Sequence, residues 1–120
     1  MLKKPLINYN LYLKIILIFL VLLRPTLADI IKPSINIEPK EVVKIQLSAL
    51  MKNDFPNIDS GIIQTWEFAH PNNQKVTGPI EKFKNMLKND SYSMLLNHSN
   101  HEVLEVYKSN RVATFEVTVL

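Results

Sequence analysis

No cysteine occurs among the 120 residues, and there are only two glycines, Gly61 and Gly78. Without thiols the chain can form no disulfide, so its stability must come from its core alone. With two glycines a phosphate-cradling loop is hard to build, and no nucleophile elbow or paired-carboxylate motif is present. A basic face is missing as well. The formal charge is +3, yet Lys3, Lys4, Lys14 and Arg24 are the only charged residues before Asp29. Removing those four from fourteen basic residues leaves ten against eleven acidic ones, a net charge of −1 for the remainder. The high isoelectric point therefore belongs to the N-terminus, and no Lys/Arg cluster of the kind that contacts phosphates remains. Nucleic acid is not an expected partner.

What the N-terminus does have is the three-part pattern of an export signal. A basic leader precedes an uncharged apolar run from Ile15 to Leu23, and Thr26-Leu27-Ala28 supplies small residues where a signal peptidase reads. The expectation is a signal peptide over residues 1–28, cut between Ala28 and Asp29. The alternative is an uncleaved membrane anchor over residues 11–23, although the run falls short of the ~20 residues that span a bilayer. Either way the domain faces outward. An exported domain without cysteine fits a periplasm better than a disulfide-rich extracellular scaffold, so the expected location is periplasmic or secreted.

At 47% hydrophobic and 21% charged, the rest reads as one compact domain over residues 38–120, after an irregular lead-in at 29–37. Pro39 suits a first helical turn, and Glu38 and Glu41 suit its positive end. In a helix over 38–54, Glu41, Lys44, Ser48 and Lys52 share a narrow polar face, and apolar residues cover most of the rest. So wide an apolar arc predicts packing against something large, such as a sheet. Gln46 interrupts that arc, with Asn53 on the same side. A buried amide costs about 1–3 kcal/mol if unpaired, so Gln46 either ties the helix to nearby backbone or lines a polar pocket.

Asp59 or Ser60 can cap a short second helix beginning near Gly61, with Ile62, Ile63 and Trp66 on one side. Residues 70–78, "HPNNQKVTG", are dense in turn formers and predict a loop. Thr77 then caps a third helix with Pro79 in its first turn. Its stripe is Ile80, Phe83, Met86 and Leu87, and Lys82, Lys84 and Lys88 face water. Tyr92, Leu95 and Leu96 are expected to point inward from a tight turn. From His101 onward the period changes to two. Val103, Glu105 and Tyr107, then Arg111, Ala113, Phe115, Val117 and Val119, alternate as in half-buried strands joined by a Ser109-Asn110 turn.

Helix, short helix, loop, helix and antiparallel strands is the order of the cone-shaped α+β fold of the nuclear transport factor two-like superfamily. Within it, "VVKIQLSALMKND" and "WEFAHPNNQKVTGPIEKFKNMLKNDSYSMLLNH" resemble the family called domain of unknown function 4864, over about residues 40–98. The resemblance implies three helices packed on a curved antiparallel sheet. It implies further strands as well, so the sheet is expected to be incomplete here and the chain shortened at its C-terminus. His70 stands where the family pattern has a serine, which weakens a catalytic role for it. The resemblance carries a fold and no reaction.

The candidate ligand pocket comprises Gln46, Trp66, Phe68, His70, Asn73 and Tyr92. None is a convincing general base, and His70 and Asp54 are the titratable groups expected near the cavity mouth. His98 and His101, with Glu102 beside them, form a weak zinc pattern and read better as solvent-exposed loop histidines. No catalytic residue, metal or cofactor is assigned. The expected function is a non-enzymatic exported module that binds a small apolar ligand or a protein partner. It could also pair with a second copy through the open sheet. The alternatives are a small hydrolase or isomerase using His70 or Tyr92, and a shortened fragment with no independent function.

Overall fold

The computed structural model describes residues 29–120 and, before them, only Asn10 and Lys14. The leader expected over residues 1–28 lies outside the described residues. Among these, no helix is long and apolar enough to cross a membrane. The architecture is α+β. Four helices, α1 (Pro39–Met51), α2 (Ser60–Glu67), α3 (Pro71–Thr77) and α4 (Ile80–Lys88), lead through a 3₁₀ turn at Ser93–Leu95 into strands β1 (His101–Lys108) and β2 (Ala113–Val119).

Pro39 opens α1 and Glu41 sits in its first turn, as the sequence requires. The helix stops at Met51, three residues early, because Asn53 turns its polar atoms to the next helix instead. Its carbonyl accepts the Gly61 amide at 2.9 Å and its Oδ1 accepts the Ile62 amide at 3.0 Å. Asp59 holds the N-cap position of α2 at φ 64°, in the left-handed region. Its carboxylate does not cap the helix; it accepts from Asn53 Nδ2 at 3.4 Å and from Lys88 Nζ at 2.7 Å. Gly61 lets the helices touch, since a Cβ there would lie 2.2 Å from the Ala49 carbonyl oxygen.

The core lies where α1, α2 and α4 meet. Ile62 is fully buried, with Leu50, Phe83 and Leu87 around it and Trp66, Met86, Leu95 and Leu96 against the cluster. The Trp66 and Phe83 rings pack tilted at 47°, their centroids 5.0 Å apart. The predicted stripe of α4 is thus the face that packs.

Three expectations change. Residues 71–77 are a helix, not a loop: Pro71 starts it, His70 Nδ1 accepts the Asn72 amide at 3.1 Å, and Gln74 Nε2 donates to the Trp66 carbonyl at 2.9 Å. The turn-forming residues fill its N-terminus, where they are equally at home. Thr77 therefore ends α3, donating its hydroxyl to the Asn73 carbonyl at 2.7 Å, and Pro79 caps α4 in its place. Lys88 does not face water alone; its ammonium pairs with Asp59.

The sheet has two strands among the described residues, paired antiparallel with Val103 opposite Val117 and Glu105 opposite Phe115. A bulge at Val106 shifts the register, so Tyr107 pairs with Thr114. The connection spans Ser109 to Val112 rather than two residues, closed by the Ser109 amide on the Val112 carbonyl at 2.7 Å. Val103, Ala113, Phe115 and Val119 are half-buried, whereas Glu105, Tyr107 and Arg111 are exposed. The hairpin reaches α1 at its far end through Lys108 and Glu38, 3.3 Å apart.

Candidate functional site

The structure places the six residues expected to form a pocket outside the groove along α1 and α2. Gln46 does what a partly buried amide must, donating from Nε2 to the Thr65 carbonyl at 3.3 Å; the Thr65 hydroxyl, which donates to the Gly61 carbonyl at 2.9 Å, also lies 3.4 Å from the Gln46 carbonyl. The amide ties α1 to α2. Trp66 belongs to the core and Phe68 is half-buried just beyond α2. His70 and Asn73 are exposed on α3. Tyr92 is 44% exposed, not the inward residue expected. Of the two titratable candidates, His70 uses Nδ1 as a helix cap. Asp54 is exposed, its carboxylate held by the Asn97 amide at 2.8 Å and the Asp59 backbone N–H at 3.1 Å. The bond from Asn97, then that from Asp59, draws its pKa below 3.8, which suits a structural anion and not a base.

A groove lies on the other side of α1 and α2, with a cavity volume of about 640 Å³, and none of the six residues lines it. Ile45 and Ala49 of α1 and Ile63 of α2 contribute apolar surface. The lead-in segment supplies one wall through Ile30 and Ile31, and Phe55 and Pro56 contribute from the α1–α2 connection. Gln64 secures that wall: Oε1 accepts the Ile31 amide and Nε2 donates to the Ile31 carbonyl, both at 2.8 Å. One residue on, Lys32 pairs with Glu67 at 2.7 Å. The lead-in has no helix or strand, in keeping with the irregular segment expected, but it is pinned along α2 as a strap. Polar residues complete the lining, among them Glu41, Lys44, Ser48 and Lys52, which are the narrow polar face of α1. The broad apolar arc of α1, read from the sequence as a packing face, meets α2 and, in place of a broad sheet, strand β1 of the hairpin; only Ile45 and Ala49 beside it face the groove.

The histidines also depart from expectation. His98 is buried, not a solvent-exposed loop residue, and its Nδ1 lies 2.7 Å from the Leu95 carbonyl. A carbonyl can only accept, so Nδ1 carries the proton, and Nε2 faces His101 Nδ1 at 2.8 Å as the acceptor of the neutral pair. Burial, and then the neighbouring His98, push the His101 pKa below 6.5. Among the described residues no group of three histidine or acidic side chains is placed to hold a metal ion.

No family model, curated protein or solved structure matches the chain. The site is therefore interpreted from its own chemistry.

Proposed function

We propose that the chain is a non-enzymatic exported module that binds a small apolar ligand in the α1–α2 groove. The observation that carries this reading is the groove itself: a lining rich in aliphatic side chains, bordered by the polar face of α1, with a volume inside the ~300–1,000 Å³ range of small-molecule sites. Export is supported by the leader pattern of residues 1–28. Membership of the cone-shaped superfamily is supported by the order of elements, helices first and an antiparallel hairpin last. The alternative of a hydrolase or isomerase built on His70 or Tyr92 draws no support from their positions, exposed and away from the groove.

Ser48→Trp tests the proposal, because Ser48 is exposed and lines the groove without entering the core. The indole should obstruct the site and weaken binding of an apolar fluorescent probe at least about tenfold, with the melting temperature unchanged. Equal probe affinity in both proteins would place binding elsewhere.

A second reading, pairing with another copy through the hairpin, is favoured by Leu104 and Tyr107, 61% and 57% exposed on strands with unpaired edges. Sedimentation equilibrium tests it: Leu104→Lys should convert a dimer to monomer, and a wild-type chain that is monomeric at high concentration removes this reading.

A further inference from the structure

We infer that the groove takes an anionic amphiphile, a single aliphatic chain ending in a carboxylate or similar head, with Lys52 as the head-group contact. This rests on the groove being the binding site. Ile30, Ile31, Ile45, Ala49 and Ile63 offer aliphatic surface, with Phe55 the only aromatic residue in the lining among the described residues. Such walls suit a flexible alkyl chain better than a stacked ring. Ile30, Ile31 and Phe55 are 42%, 47% and 74% exposed, apolar surface that a bound chain would cover. Gln64, the amide in the lining nearest the strap, spends both polar atoms on Ile31 and has neither left for a polar ligand body.

The charged groups decide the head. Among the described residues four line the groove: Asp29, Glu41, Lys44 and Lys52. Among the described residues, neither lysine has a carboxylate within ion-pair distance, so each ammonium is available. They stand eight residues apart on α1, about 12 Å along its axis. Lys44 follows Glu41 by one helical turn, and that carboxylate opposes an anion there. At the other end Lys52 is joined in the lining by the neutral Asn57 and Ser60, and Asp29 on the strap makes no ion pair with it. The start of α2 offers no rival anion site. Its Ser60, Gly61 and Ile62 amides already donate to the Asn57 carbonyl, the Asn53 carbonyl and Asn53 Oδ1. The head group is thus left to the Lys52 ammonium, whose charge-assisted bond to a carboxylate supplies the preference for an anion.

Isothermal titration with dodecanoate, dodecan-1-ol and dodecylammonium, each below its aggregation concentration, tests the assignment. Dodecanoate should bind about tenfold tighter than the alcohol, and the ammonium weakest. Lys52→Gln should bring dodecanoate down to the level of the alcohol and leave the alcohol unchanged, whereas Lys44→Gln should preserve the preference. If alcohol and carboxylate bind equally and Lys52→Gln alters neither, or if the ammonium binds best, the head-group inference is overturned while groove binding stands. Loss of the preference in Lys44→Gln alone would overturn the choice of Lys52. If none of the three binds, groove binding itself fails, and the inference with it.

Discussion

The two halves of the molecule are held together in different ways. Around Ile62, helices α1, α2 and α4 share a closed apolar core, and the connections beside it are knotted by Asn53, Asp54, Asp59, Lys88 and Asn97. No side-chain nitrogen or oxygen buried in the described structure is left without a partner. The hairpin is the reverse. Its strands pair well with each other, yet none of its residues reaches full burial, and Leu104, Val106, Tyr107 and Val117 stand exposed. Two strands on their own are marginal in water. The closed core thus lies in the helical half, and the hairpin packs against it along α1 without a buried residue of its own. The difference also locates the proposed binding site: a groove keeps its shape only where the elements that line it are fixed.

Substitutions should separate the halves by size of effect. Gly61→Val should prevent folding, because its Cβ would meet the Ala49 backbone carbonyl and no flexible side chain can yield. Circular dichroism of the purified protein would detect the loss, and a cooperative melt near the wild-type temperature would contradict the close helix contact. Ile62→Ala should cost about 4 kcal/mol in denaturant unfolding, at the upper part of the range for a fully buried aliphatic side chain. Phe115→Ala, on the half-buried face of the hairpin, should cost under about 1 kcal/mol. Equal costs at the two sites would erase the contrast.

Asn53→Ala should fall between them, at about 2–3 kcal/mol, since it removes the acceptor of the Ile62 amide and the donor to both Asp54 and Asp59. Asn53 shows how much of the fold is legible before any coordinates. The three principal helical stretches, the apolar stripe of α4 and the antiparallel strands follow from spacing alone, because local periodicity decides them. The knot does not, because an asparagine after a helix gives no sign that its amide will serve the start of the next one. The α3 helix was hidden for a related reason. Proline and asparagine favour turns and first helical turns alike, and only Gln74 reaching the Trp66 carbonyl separates the two outcomes. The candidate pocket starts from Gln46 interrupting the apolar arc, and in the structure that amide is spent on the Thr65 carbonyl. The groove instead runs along the polar face of α1 and the neighbouring Ile45 and Ala49, against the lead-in segment, whose docking on Gln64 no local pattern announces.

The smallest effect is a pH dependence at the junction of the halves. The folded-state pKa of His101 lies below its usual 6.5, through burial and then the neighbouring His98. Its contribution to stability is thus complete above pH 6.5 and is lost as pH falls through the lowered folded value. The melting temperature should decline modestly over that interval, and His101→Gln should flatten the decline. Asp54 acts in the same direction only further down, below 3.8, where its depressed pKa takes effect. A slope near pH 6 that survives His101→Gln would assign the titration to another group.

Methyl-resolved NMR during titration with dodecanoate tests the central claim most directly, because one spectrum reports on both halves. The account predicts saturable shifts at the methyl groups of Ile30, Ile31, Ile45 and Ile63, with Val103, Val117 and Val119 unmoved. Shifts that begin in the hairpin valines and leave the groove isoleucines in place would contradict it.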